Sequence, residues 1–65
     1  MSSREAVVEC WNGSQFVHSY SQFRQLPGGR PAPDSSLIFQ AKRRLLSDRL
    51  ASPPYHGYDF IVIRG

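Results

Sequence analysis

A segment rich in proline and glycine divides the chain into two parts. Residues 26–33, Leu-Pro-Gly-Gly-Arg-Pro-Ala-Pro, contain three of the five prolines and two of the five glycines. Proline lacks a backbone N–H and fixes φ, so neither a strand nor a helix continues through such a segment. We therefore predict a loop here that crosses from a sheet before it to a helix after it.

The residues before this loop predict a β-hairpin over about residues 6–23. Residues 6–11 are rich in β-branched and aromatic side chains, and residues 15–23 largely alternate between apolar and polar ones. Asn12-Gly13 follows the first run directly. This dipeptide is typical of a type I′ turn, because both residues tolerate positive φ.

The residues after the loop predict a helix over about residues 35–50 and a third strand over about residues 58–64. Asp34 stands at the expected N-cap, no Gly or Pro interrupts the helix, and Ser52-Pro53-Pro54 ends it. The predicted fold class is α+β in the order β-β-α-β: a three-stranded, mainly antiparallel sheet with one helix packed on one face. A chain of 65 residues has room for one domain, so residues 1–65 are assigned to a single small domain.

Strand alternation gives the hairpin one face of small side chains and one face of large ones. The small face is predicted to hold Ala6, Val8, Cys10, Val17 and Ser19. The large, mostly aromatic face is predicted to hold Val7, Glu9, Trp11, Phe16, His18 and Tyr20. Small side chains permit close approach of the helix, which would leave the aromatic face open. Aromatic side chains also dominate the cores of small domains, so the reverse arrangement satisfies the sequence equally well.

The predicted helix carries two apolar seams at helical spacing. The first consists of Leu37, Ile38, Ala41 and Leu45, and the second of Phe39, Leu46 and Leu50. Lys42 and Arg49 lie between the seams, and the remaining arc of Gln40, Arg43, Arg44, Ser47 and Asp48 is expected to be solvated. Either the two cations lay their stems along the edge of the core, or the second seam meets a partner, for example a second copy of this chain.

The sequence offers little material for catalysis. One cysteine and two histidines are too few for a disulfide framework or for a closed Cys/His zinc site. The predicted faces also separate Cys10 from His18, which argues against a Cys–His nucleophile pair. We expect no enzyme activity, no cofactor, no metal and no small-molecule substrate. No apolar run approaches the roughly 18 residues of a membrane span, and we expect a cytoplasmic protein without a membrane partner.

Two functions of different classes remain. The first is a small non-catalytic protein-interaction module, a regulator or adaptor that binds a larger protein or itself through the aromatic face and the second helical seam. The residues predicted to bind the partner are Trp11, Phe16, His18, Tyr20, Phe39, Arg43, Leu46, Arg49 and Leu50. The alternative is an RNA or single-stranded nucleic-acid binding protein, in which the aromatic face stacks bases and arginines neutralise phosphates. The net charge of +3, with seven arginines and one lysine, permits this alternative, although GC-rich coding also favours arginine.

The last third of the chain resembles the protein subunit of bacterial ribonuclease P. The similarity consists of Lys42-Arg43-Arg44 and Arg49, followed by residues 58–64, Tyr-Asp-Phe-Ile-Val-Ile-Arg. This resemblance implies a basic helix and a following strand that bind RNA. The Arg-Asn-Arg signature of that family is missing, and Gln40-Ala41 stand in its place, so the chain is not identified as a member.

Overall fold

A computed structural model describes residues 6–64, so residues 1–5 and 65 of the predicted domain lie outside the described part. The strands are β1 (Ala6–Asn12), β2 (Gln15–Tyr20) and β3 (Tyr58–Arg64), and the helix is α1 (Asp34–Ser47). They form one antiparallel sheet in the order β2-β1-β3, with α1 packed on one face. The α+β fold class is therefore confirmed. The helices found in residues 6–64 lack the length and the apolar character of a transmembrane segment.

The hairpin turn lies one residue later than predicted. Asn12 pairs with Gln15, so the two turn residues are Gly13 and Ser14 and not Asn12 and Gly13. Gly13 has a φ of +65°, and Ser14 does not have a positive φ. A glycine at the first central position is the requirement of a type II′ turn, which suits the twist of a hairpin as well as type I′ does.

A β-bulge in β2 changes the predicted faces of the hairpin. Trp11 pairs with Phe16, but the register shifts by one residue at Val17, so that Cys10 pairs with His18. Because successive side chains alternate between faces, this extra residue exchanges the two faces for the rest of β2.

The bulge corrects three of the predicted positions. His18 and Tyr20 lie on the side of the sheet that α1 covers, and not beside Trp11 and Phe16 as predicted. Ser19 pairs with Glu9 on the opposite side, although it was predicted among the small residues. The remaining small residues follow the prediction: Ala6, Val8 and Cys10 lie in the core, and Val17 packs against it.

The core lies between α1 and the small face of β1. Leu37, Ala41 and Leu45 are at most 1% exposed, and Val8 and Cys10 are fully buried beneath the helix. Of the two arrangements that the sequence left open, the structure has the one in which the small side chains allow close approach of the helix. The other face of the sheet has no element of residues 6–64 packed on it.

Both ends of α1 differ from the prediction. Asp34 is the first residue of the helix rather than its N-cap, and its carboxylate accepts a bond from the Arg64 guanidinium at 2.6 Å instead of capping. At the other end, Arg49 adopts a φ of +62°, and the Leu50 N–H donates to the carbonyl of Leu45 at 2.9 Å. This Schellman arrangement ends the helix at Ser47, three residues before the predicted end.

Part of the arc of α1 that was predicted to be solvated packs on the irregular segment after β2. Gln40 accepts a bond from the backbone N–H of Arg24 and donates to its carbonyl, at 2.9 and 3.2 Å. The Arg44 guanidinium donates to the carbonyls of Ser21 and Gln22. These side chains satisfy backbone groups that have no strand partner, so the segment is attached to the helix.

Candidate functional site: an uncovered apolar sheet face

The sheet has a face that α1 does not cover, which we call the open sheet face. Its positions are Val7, Glu9, Trp11, Phe16, Ser19, Asp59, Ile61 and Ile63. Phe16, Ile61 and Ile63 are 44–49% exposed, and Trp11 is half-buried. Large apolar side chains from all three strands are therefore accessible on one surface.

Trp11 and Phe16 form the aromatic end of the open sheet face. Their rings meet edge to face, with centroids 5.4 Å apart and planes at 74°. The indole Nε1 of Trp11 donates to Glu9 Oε1 at 3.2 Å. The two contacts hold the indole against its own strand and against β2.

Glu9 lies in the middle of the open sheet face. It is half-buried, and its cross-strand partners are Ile61 on β3 and Ser19 on β2. Val7 and Trp11 are its neighbours on the same face of β1, because side chains two residues apart share a face. A carboxylate thus stands within an otherwise largely apolar surface.

The charge of the open sheet face is opposite to that of the whole chain. Glu9 and Asp59 are its charged residues, and none of its positions among the described residues is Lys or Arg. The chain as a whole carries a net charge of +3. The basic residues of α1 lie on the other side of the sheet, so the molecule separates its charges.

His18 and Tyr20, which were predicted for the aromatic face, lie away from the open sheet face. The His18 ring stacks on Tyr20, with centroids 4.3 Å apart, on the side that α1 covers. Tyr20 is buried, and its hydroxyl donates to Asp48 Oδ2 at 2.7 Å. Burial, together with the bond to the Asp48 carboxylate, raises the pKa of Tyr20 well above its ordinary value. Tyr20 therefore joins β2 to the end of α1 inside the core.

The second predicted seam is exposed and forms a separate surface, the helix ridge. It consists of Phe39 and Leu46 on α1 and of Leu50, which lies just beyond the end of the helix and not on it as predicted. The Arg43 guanidinium lies 6.0 Å from the centroid of the Phe39 ring. Between the seams, Lys42 places its ammonium 5.4 Å from the ring centroid of Phe60, which packs against the core. Arg49 is exposed and follows the end of the helix. The helix ridge is apolar and basic, whereas the open sheet face is apolar and acidic.

A groove of about 760 Å³ runs between α1 and the segment after β2. It is lined by Arg24, Arg43 and Arg44 together with Phe23 and Phe39. Arg44 is already bonded to backbone carbonyls there, and its guanidinium lies 4.7 Å from the centre of the Phe23 ring. Arg24 and Arg43 are the exposed cations of the groove.

The free cysteine Cys10 is buried in the core beneath α1. The structure corrects the predicted separation of Cys10 and His18, because these two residues are direct cross-strand partners. Burial raises the pKa of the Cys10 thiol to about 11, so the thiol stays protonated and unreactive at neutral pH. In the described part of the chain, no group of three or more His, Cys, Asp or Glu residues is placed to hold a metal ion.

Comparison with protein-family models, with curated proteins and with solved structures finds no match for this chain. The resemblance of the last third of the chain to the ribonuclease P protein subunit therefore gains no support from a family match. The site has to be interpreted from its own geometry.

The sequence analysis did not assign Ile61 and Ile63 to the aromatic face. They lie in the predicted third strand, whose apolar run over residues 60–63 shows no alternation between two faces. Glu9 was placed on the large face of the hairpin, but its central position in the sheet was not predicted. The pairing of β3 with β1 supplies the missing information, since it puts Phe60 and Val62 under the helix and turns the two isoleucines outward.

Proposed function

We propose that this chain is a non-catalytic protein-interaction module that binds a larger protein through the open sheet face. The observation that carries the proposal is the group of Trp11, Phe16, Ile61 and Ile63 on one uncovered surface. Contiguous exposed apolar surface is a mark of interaction sites in proteins of ordinary composition. Trp is also enriched among the residues that dominate binding energy at interfaces.

The distribution of charge favours a protein over a nucleic acid as the partner of this face. Bases that stack on Trp11 and Phe16 would bring phosphates towards Glu9 and Asp59, which repel them. Arg43 and Arg44 lie on α1, and Arg24 lies beside it, on the far side of the sheet. A single strand of nucleic acid therefore cannot stack its bases on the aromatic residues and bind its phosphates to the arginines at the same time.

The basic groove beside α1 supports a second candidate function, the binding of RNA on the helix side. Arg24 and Arg43 are exposed there beside the Phe39 ring. This candidate predicts that the double variant Arg24→Gln/Arg43→Gln loses RNA affinity and that the binding weakens steeply as salt rises. Binding of this kind does not involve the open sheet face.

The proposed function is tested by photo-crosslinking in the cells from which the chain comes. A photo-reactive phenylalanine analogue replaces Phe16, and in a control protein it replaces Ser35, an exposed residue in the first turn of α1. The probe at position 16 is expected to give discrete protein adducts that the probe at position 35 does not give.

Two further variants locate the contact. The double variant Ile61→Thr/Ile63→Thr keeps β-branched side chains in β3 but removes apolar surface, and it is expected to abolish the adducts. The matched change Leu46→Gln on the helix ridge is expected to leave them unchanged. Equal adducts from both probe positions, or adducts with RNA only, would contradict the proposed function.

A further inference from the structure

The central position of Glu9 restricts what can cover the open sheet face. Its carboxylate already accepts one bond from Trp11 through Oε1, but a carboxylate has about four acceptor sites on its two oxygens. A wholly apolar partner would remove water from the remaining sites and leave a desolvated charge without a counterpart, which is strongly unfavourable. A favourable partner therefore brings a donor, and preferably a cation, to this point.

A second copy of the chain does not meet this requirement through the same face. A two-fold symmetric dimer brings the same surface of both protomers together. It would place Glu9 of one protomer near Glu9 of its partner, in surroundings that Ile61 and Trp11 make apolar. None of the positions on this face among the described residues is Lys or Arg, so the partner copy supplies no cation to offset the repulsion.

The covered side of the same sheet indicates the shape of a suitable partner. There a single helix, α1, packs on β1 and β3, and Tyr20 of β2 reaches the end of the helix through its bond to Asp48. The outer strands of such a sheet are roughly 10 Å apart, close to the diameter of an α-helix with its side chains. The Lys42 ammonium of that helix lies over the aromatic ring of Phe60 at the edge of the core. A helix with apolar side chains and a cation is thus accommodated on one side of this sheet.

We propose that the open sheet face binds an amphipathic helix of another protein that carries lysine or arginine within its apolar stripe. The cation pairs with the Glu9 carboxylate and lies beside the Trp11 ring, and Phe16, Ile61 and Ile63 contact the apolar side chains around it. Such a cation makes a cation–π contact with the indole ring and a charge-assisted hydrogen bond with the carboxylate. Both interactions become stronger when water is excluded. This proposal rests on the proposed function, because it specifies the chemistry of the partner at the same face.

The test uses two synthetic peptides and the emission of Trp11, the single tryptophan of the chain. The cationic peptide has about 18 residues of leucine and lysine at helical spacing, and the acidic peptide has glutamate in place of every lysine. The cationic peptide is expected to shift the Trp11 emission and to bind at least about tenfold more tightly than the acidic one. Raising the salt concentration is expected to narrow this difference.

Three variants separate the role of Glu9 from that of net charge. Glu9→Gln keeps an acceptor for the Trp11 indole and is expected to weaken binding of the cationic peptide about fivefold to tenfold. Asp34→Asn changes the net charge by the same amount at the start of α1, on the other side of the sheet, and is expected to change the affinity less than about twofold. Glu9→Lys is expected to reverse the preference, so that the acidic peptide binds more tightly.

Several results would overturn the proposal: equal affinity for the two peptides, equal effects of Glu9→Gln and Asp34→Asn, or no binding of either peptide up to about 1 mM. A concentration-dependent shift of Trp11 without peptide would mean that a second copy covers the face, and would overturn it as well. If neither peptide binds while the photo-reactive probe at position 16 still gives protein adducts, this proposal is wrong and the proposed function stands. If the probe at position 16 gives no protein adducts either, both the helix-binding proposal and the proposed function are wrong.

Discussion

Two neighbouring leucines of α1 provide the sharpest test of how the helix is seated on the sheet. Leu45 is fully buried, whereas Leu46 is 47% exposed on the helix ridge. Replacement of each by alanine removes the same atoms from the same turn of the same helix. Because the change in helix propensity is nearly the same at both positions, the two variants differ mainly in burial.

The expected losses of stability differ by about 2 kcal/mol. Leu45→Ala removes buried methyl and methylene groups and leaves a cavity in the core, which costs about 3 kcal/mol within a usual range of about 2–5 kcal/mol. Leu46→Ala removes side-chain surface that is already about half in contact with water and leaves no closed cavity, so it costs about 1 kcal/mol or less. A domain of this size has a total stability of only about 3–5 kcal/mol, so the first variant is expected to be close to its unfolding midpoint at 25 °C.

Urea denaturation followed by far-UV circular dichroism measures both losses. The expected difference corresponds to about 8–16 °C between the two midpoints of thermal unfolding, at 4–8 °C for each kcal/mol. Equal losses for the two variants, or a larger loss for Leu46→Ala, would show that the helix is seated on a different face. The account of the core given above would then be refuted.

Three further predictions concern the core and the end of α1. Tyr20→Phe is expected to lower the free energy of unfolding by about 1 kcal/mol, and a double-mutant cycle with Asp48→Ala is expected to assign most of this loss to the hydroxyl–carboxylate bond. Between pH 9 and pH 11 the unfolded chain loses the Cys10 proton while the folded chain, with a pKa raised to about 11, retains it. The free energy of unfolding therefore falls over this interval, and denaturant titrations of Cys10→Ala are expected to record a smaller fall. Arg49→Gly relieves a positive φ in a residue that has a Cβ, and is expected to raise the free energy of unfolding by about 0.5–1 kcal/mol in thermal unfolding, whereas a loss of stability would contradict the Schellman end of α1.

The order of the elements and the fold class were predictable because local signals carry them. The proline- and glycine-rich segment at residues 26–33 separates the hairpin from the helix, and the apolar spacing of Leu37, Ala41 and Leu45 marks the buried side of α1. The choice of the covered sheet face was not decided by sequence, because it depends on how closely the helix approaches. That distance is set by packing around Val8 and Cys10.

The parts that sequence did not predict depend on contacts between distant residues. The alternation in β2 contains no mark of the bulge at Val17, which accompanies the packing of Val17 and Tyr20 on the helix side. The polar pattern of α1 predicted a solvated arc, but Gln40 and Arg44 bind backbone groups of a segment without any periodicity. Both errors arise because partners that are far apart in the chain decide the outcome.

The candidate site was predicted only at its aromatic end. Trp11 and Phe16 lie together on the uncovered side of the sheet, which was one of the two arrangements that the sequence allowed. The isoleucines of β3 join this face only when the register of β3 on β1 is known, and the same register shows that Glu9, which was predicted on this face, stands at its centre. The charge character of the open sheet face is consequently a property of the sheet pairing and not of any local motif.

The emission of Trp11 distinguishes a protein from a nucleic acid as the partner of the open sheet face, because Trp11 lies on that face. The measurement compares a short mixed-sequence RNA with the cationic leucine–lysine peptide at about 100 mM salt, where exposed charges still interact over roughly 10 Å. We expect the peptide to shift the emission of Trp11 and the RNA to leave it unchanged. Quenching of Trp11 by the RNA that disappears as salt rises, with no response to the peptide, would contradict the account and make this face a stacking platform for bases.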